Sequence, residues 1–258
     1  MNQEPEKKES TWGMIRSFGF AVLLALIFRS VAYEPFHIPS GSMMPTLRVG
    51  DYIFVSKLSY GYSRFSFPFG TIIPYFDGRI FETTPQRGDV IVFRLPKNPG
   101  IDYIKRLIGL PGDTIRVIDG VLYINDVAVK LEKTTDYQEK LEDGSVKSVR
   151  RYIETLPNGV KHYVLDERPY GNMDPSGFDS DNTSTYVVPE GHYFFMGDNR
   201  DNSVDSRYQA DGPGYVPAAN LVGHADMIFV SFNQDVRFFE FWRWPWAFNH
   251  DRWVKYVD

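Results

Sequence analysis

The longest apolar run in the chain is Ala21-Val22-Leu23-Leu24-Ala25-Leu26-Ile27-Phe28, inside 12 uncharged residues between Arg16 and Arg29. Twelve falls short of the roughly 20 residues needed to cross a bilayer. The flanks lengthen it: Trp12 and Tyr33 are aromatics of the kind found at headgroup level, and both arginines have stems that reach water from an apolar layer. Taken as one helix, Trp12 to Tyr33 is 22 residues, about 33 Å long at the usual rise. The pattern predicts one uncleaved transmembrane anchor. The same residues could form a buried core helix, or a cleavable leader with Ser30-Val31-Ala32 as its small-x-small processing site. Arg29 breaks the apolar stretch where a leader would keep it running. Lys7, Lys8 and Arg16 precede the span while Arg29 and Arg48 follow it, so the charge bias leans toward a cytoplasmic amino terminus.

Beyond Tyr33 the periodicity changes to short β-type runs separated by turns. Tyr52-Ile53-Phe54-Val55 and Asp89-Val90-Ile91-Val92-Phe93 read as strands, as do His192-Tyr193-Phe194-Phe195-Met196 and Asp226-Met227-Ile228-Phe229-Val230. Thr114–Ile118 and Val121–Ile124 flank Asp119-Gly120, a pair suited to the two positive φ angles of a type I′ hairpin turn. From Lys130 to about Ser184 the chain is polar, with turn signals at Pro157-Asn158-Gly159 and Asp174-Pro175-Ser176-Gly177. That stretch reads as a solvated insertion. Four of the five tryptophans fall in the last 17 residues, a cluster that either meets lipid or packs on the core.

Composition narrows the chemistry. The net charge of −5 supplies no basic field for nucleic acid, and the absence of cysteine removes thiol nucleophiles, thiolate metal sites and disulfides. A hydroxyl nucleophile remains. Ser40-Gly41-Ser42, braced by Ile38-Pro39 and Met43-Met44-Pro45, is a stiff turn able to present one hydroxyl for attack and another toward an oxyanion. The five histidines are scattered, and none sits in a catalytic or metal-ligand pattern. A buried lysine can act as base instead. Lys105 is the candidate: strand alternation puts it on the face of Tyr103, with Ile104 opposite. Gly197 to Tyr208, packed with Asp, Asn, Arg and Ser, reads either as a solvated loop or as a buried polar network orienting the base.

Together these blocks resemble the type I signal peptidases (leader peptidases), membrane-anchored Ser/Lys endopeptidases. The resemblance runs from Phe36 to Phe232, through Ser40–Leu47, Arg87–Phe93, Tyr103–Arg106 with Gly109–Asp113, and Gly197–Arg207, in the family's order. It implies Ser42 as nucleophile and Lys105 as general base. The oxyanion hole would be the Ser42 N–H and the Ser40 hydroxyl. Ser203 falls where the family keeps a hydroxyl hydrogen-bonded to the base, and Asp205 and Arg207 fall on its supporting ion pair. Phe36, Ile38, Pro39, Leu47, Ile53, Tyr103 and Ile104 would shape shallow pockets for small residues at −1 and −3 of an extended substrate.

The fold implied is mostly β: an antiparallel catalytic core (34–113 plus 190–258) with an inserted β-rich domain (114–189), after a cytoplasmic tail and one transmembrane helix (1–33). The substrates would be signal-peptide-bearing precursors, met beside the translocon on the outer face of a bacterial cytoplasmic membrane, with no metal, organic cofactor or nucleic acid. Many Gram-negative members have two spans before the nucleophile; this chain has room for one. A dedicated Ser/Lys processing peptidase, a cytosolic self-cleaving repressor and an anchored peptide-binding protein without catalysis are the other readings.

Overall fold

The structure, a computed structural model, describes residues 11–67, 78–141, 144–167, 177–233, 240 and 242–257, with the backbone alone at 11, 25, 27, 28, 30, 140 and 245. The charged tail with Lys7 and Lys8, and Asp174–Ser176 of the second expected turn, lie outside the described residues.

Helix α1 (Thr11–Val31) is the first described element and is apolar around its circumference: Trp12, Phe18, Phe20, Leu23 and Leu26 are all at least half exposed. Counted over the described residues, no helix is long and apolar enough to cross a membrane. Its carboxy end is tied to the body by Arg29, which pairs with Glu34, and by Tyr62, whose hydroxyl donates to the Val31 carbonyl at 2.6 Å. Glu34 also pairs with Lys57, a lysine that is 1% exposed.

The strands follow in order: β1 (Tyr33–His37), β2 (Asp51–Ser56), β3 (Val90–Leu95), β4 (Asn98–Gly109), β5 (Thr114–Ile118), β6 (Val121–Ile124), β7 (Val127–Ala128) and β8 (Lys130–Lys133). Then come β9 (Tyr137–Lys140), β10 (Val146–Thr155), β11 (Lys161–Asp166), β12 (Tyr186–Val187), β13 (His192–Met196), β14 (Val216–Pro217), β15 (Leu221–Ser231) and β16 (Lys255–Tyr256). All named pairings are antiparallel. The largest sheet runs β1-β2-β15-β3-β4-β13-β14, with β16 continuing on β15 where β3 leaves off. Residues 114–187 form two smaller sheets, β12-β5-β6-β7 and β11-β10-β8 with β9 on β10.

Strand β3 shows why the unbroken apolar run at Val90–Phe93 is a strand. Alternation sends Val90 and Val92 into one cluster with Ile38, Met43, Leu47 and Ile53, and Ile91 and Phe93 into another with Leu107 and Phe195. Both faces are covered, so neither can be polar. The β5–β6 turn has φ of 47° at Asp119 and 75° at Gly120, the backbone that Asp-Gly accepts at little cost. The β12-β5-β6-β7 sheet shares its core with the main sheet, since Ile115, Leu122 and Ile124 pack against Ile108, Phe194 and Met196.

The polar tract from Lys130 is less solvated than its composition suggests. Val149, Val164 and Leu165 are buried, and so are Glu154 and His162, because β10 and β11 lean on the 197–207 loop. Of the carboxy-terminal tryptophans, Trp244 packs on Phe232 with ring centroids 5.2 Å apart, while Trp242, Trp246 and Trp253 are exposed.

Candidate active site

Ser42 sits in a single 3-10 turn, Gly41–Met43, between β1 and β2. Met43 anchors it in the main core, and Met44 packs under the second small sheet against Val149 and Leu165. A Cβ at Gly41 would come 2.8 Å from Met44 Cε, so the end of that flexible side chain would have to move. Lys105 lies on β4, paired with Ile91 of β3. Both groups are buried, Ser42 to 7% and Lys105 to 4% exposure, and Lys105 Nζ is 2.7 Å from Ser42 Oγ. The amine also donates to the Ile104 carbonyl at 3.0 Å, and its nitrogen stands 5.3 Å from the Tyr103 ring centre.

Burial lowers the Lys105 amine from its ordinary range to about 8, against the pull of the Asp205 and Asp198 carboxylates and with help from the Arg207 charge. About one amine in ten is then neutral at pH 7, compared with a few in ten thousand for an exposed lysine. Ser40 Oγ lies 3.4 Å from Ser42 Oγ at the mouth of the turn.

Behind the amine stands the 197–207 loop, and it is a buried network. Asp205 takes two hydrogen bonds from the Arg207 guanidinium, each 2.9 Å, and one from the Gly197 N–H at 3.0 Å. Burial pushes the Asp205 carboxyl up, but Arg207 and these hydrogen bonds together hold it below the usual range. Ser203 donates to Asp205 Oδ2 at 2.8 Å. The hydroxyl expected to orient the base is thus turned toward the ion pair, and the two hydrogen bonds described for Nζ go to Ser42 and Ile104. Gly197 must be glycine, because a Cβ would come 2.3 Å from Ser203 Oγ and 2.6 Å from the Ser42 carbonyl.

The pocket residues divide. Ile38, Leu47 and Ile53 are closed off at 2%, 0% and 0% exposure, while Phe36, Pro39, Tyr103 and Ile104 keep accessible surface. On its β13 side, the described pairing of β4 begins only at Arg106, which leaves the strand edge beside Lys105 without a paired strand among the described residues.

A family profile described as "Signal peptidase, peptidase S26" matches residues 11–230. The signal peptidase I of Rickettsia typhi is 45% identical over 233 residues, covering 90% of this chain and 85% of that protein. That of Rickettsia prowazekii is 46% identical over 215 residues, covering 83% and 78%. The chain belongs to the signal peptidase I family of serine peptidases. A crystal structure of a signal peptidase I from Enterococcus faecalis V583 is 32% identical and covers 55% of this chain and 97% of its own; its TM-score of 0.32 is too low to compare the folds.

Part of this signal peptidase's buried polar network escaped the sequence reading. Arg106, beside the lysine, grips Asp198 with two bonds of 2.8 Å and donates to the Gly88 carbonyl at 2.7 Å. His162 stands between Asp198, 3.3 Å from Nδ1, and Glu154, 3.2 Å from Nε2; Glu154 in turn pairs with Arg200 at 2.5 Å. The chain of charges runs from β4 through the loop into β10 and β11. One signal was available: Pro157-Asn158-Gly159 closes the β10–β11 hairpin and sets Glu154 opposite His162. Asp198 is distant in sequence, and no pattern foretold that contact.

Proposed function

We propose that this chain is a membrane-anchored signal peptidase I that removes amino-terminal signal peptides from exported precursors, using Ser42 as nucleophile and Lys105 as general base. The observation that carries the reading is the 2.7 Å approach of Nζ to Oγ with both groups buried. When the amine is neutral, its lone pair accepts the Ser42 proton as Oγ attacks the scissile carbonyl carbon. The tetrahedral oxyanion faces the Ser42 N–H and the Ser40 hydroxyl. The C–N bond then breaks, the ammonium returns its proton to the departing amine, and an ester joins the signal peptide to Ser42. Water, deprotonated by the same amine, cleaves the ester and restores the hydroxyl.

An extended substrate strand fits along the open edge of β4. Phe36, Pro39, Tyr103 and Ile104 would meet its side chains, with Ile38, Leu47 and Ile53 fixing the pocket floors from beneath. Such shallow apolar ground favours small residues at −1 and −3. Helix α1, about 31 Å long at the usual rise, supports the anchor: its described apolar side chains, Trp12, Phe18, Phe20, Leu23 and Leu26 among them, stand exposed. With the amino terminus inside, the site stands on the outer face of the cytoplasmic membrane, near where the translocon delivers precursors.

Cleavage of a purified precursor in detergent tests the assignment. Ser42→Ala and Lys105→Ala should each lower kcat on the order of a thousandfold or more while leaving the fold intact. Turnover by Ser42→Ala near the wild-type rate would overturn it. A panel of unrelated precursors separates general from dedicated processing.

A further inference from the structure

We propose that Glu167, which follows β11, is a positioning residue for the oxyanion-binding N–H of the nucleophile turn and acts through Asn199. The inference rests on the reading of Ser42 as nucleophile.

Asn199 is 0% exposed and touches the turn twice. Its backbone N–H donates to the Ser42 carbonyl at 3.1 Å, and its side-chain Nδ2 donates to the Gly41 carbonyl at 3.4 Å. The second contact bears on catalysis through the geometry of the peptide bond. The Gly41 carbonyl and the Ser42 N–H belong to one planar peptide unit, so holding the oxygen sets the direction of the N–H. That N–H is the donor assigned to the oxyanion.

Glu167 decides how the amide of Asn199 lies. Nδ2 donates to Glu167 Oε1 at 2.8 Å, a bond strengthened by the charge of its acceptor. With a carboxylate and a carbonyl both facing Nδ2, only the amino end of the amide can lie there. Its Oδ1 is left buried without a hydrogen-bond partner among the described residues, an orientation this amide would not keep without the carboxylate. Glu167 is itself aimed from two sides. Lys147 on β10 pairs with its Oε2, and its own N–H donates to Asp201 Oδ2 at 2.7 Å. Leu165, two residues earlier, donates to the Asp198 carbonyl at 2.8 Å and bridges to Asn199 in parallel. The second small sheet therefore reaches the nucleophile turn by two routes, through Met44 packed against Val149 and Leu165 and through the Glu167–Asn199 relay.

The oxyanion forms only on the way to the transition state, so loss of the relay should lower kcat and spare KM. The test is precursor cleavage by the full-length enzyme in detergent, comparing wild type, Ser42→Ala, Glu167→Ala, Glu167→Gln, Glu167→Asp, Asn199→Ala and the Glu167→Ala/Asn199→Ala double variant. Glu167→Ala should lower kcat about tenfold or more with KM within about twofold. Glu167→Gln, which keeps an acceptor oxygen at the same reach, should stay within about threefold of wild type. The double variant should be no slower than Asn199→Ala alone, because the two residues act in series. Wild-type kcat in Glu167→Ala, a loss confined to KM, or multiplicative losses in the double variant would each overturn the inference. If Glu167→Ala does not fold, Glu167→Asp decides: its charge is kept but its reach is one methylene shorter, and wild-type kcat there overturns the inference equally. A fully active Ser42→Ala would instead remove the reading beneath it.

Discussion

At the scale of single residues, the proposed chemistry depends on an amine that titrates near neutrality. Burial lowers Lys105 to about 8, and only its neutral form can accept a proton. Activity should therefore rise about tenfold per pH unit below that value and level off above it. A pH profile of kcat/KM on the free enzyme shows this limb. A plateau reached by pH 6 would place the controlling titration elsewhere. As candidates, Ser42 and Lys105 stood out in the sequence only when four blocks were read together in order, since alone they are a turn serine and a strand lysine. The pocket residues were less legible: Ile38, Leu47 and Ile53 have the side chains a substrate pocket needs, but those are also the side chains a core needs, and here all three are buried in one.

At the scale of elements, the 197–207 loop stiffens the ground behind Lys105. Arg207 and Asp205 are both fully enclosed, and Arg207 further donates to the Arg200 carbonyl at 2.6 Å. Removing one partner of such a pair strands the other charge in the interior. Arg207→Met should cost about 3–5 kcal/mol of folding stability, read from urea unfolding. It should also move the acid limb of activity to higher pH. Arg207 lowers the Lys105 pKa and Asp205 raises it, so an unopposed Asp205 favours the charged amine. An unchanged limb in the folded fraction would show that the pair does not reach the base electrostatically. From sequence, this loop could equally have been solvated, because polar residues after a strand look alike whether water or arginine satisfies them. The β5–β6 hairpin was unambiguous for the opposite reason, since its turn geometry is a local property of Asp119-Gly120.

At the scale of the whole molecule, α1 is joined to the body by Arg29 and by the Val31 carbonyl. A chain starting at Ala32 loses the Arg29–Glu34 pair and the Tyr62 bond to Val31, while Glu34 keeps Lys57. It should unfold within a few degrees of the full-length protein, in line with the loss of exposed contacts. It should still cut a soluble peptide, yet no longer sediment with phospholipid vesicles. Vesicle binding equal to that of the full-length protein would mean that another surface, such as exposed Trp242, Trp246 and Trp253, holds the membrane.

What the sequence alone determined about this protein is local. The apolar helix, the alternating strands, the tight hairpin and the spacing of the motif residues follow from backbone and side-chain preferences a few positions apart. Tertiary structure decided which charges face one another. Asp198 meets Arg106 and His162 from 92 and 36 positions away, and Asn199 reaches Gly41 across 158. Buried ion pairs and oriented amides are selected by what closes around them, a condition that exists only once three sheets have packed together.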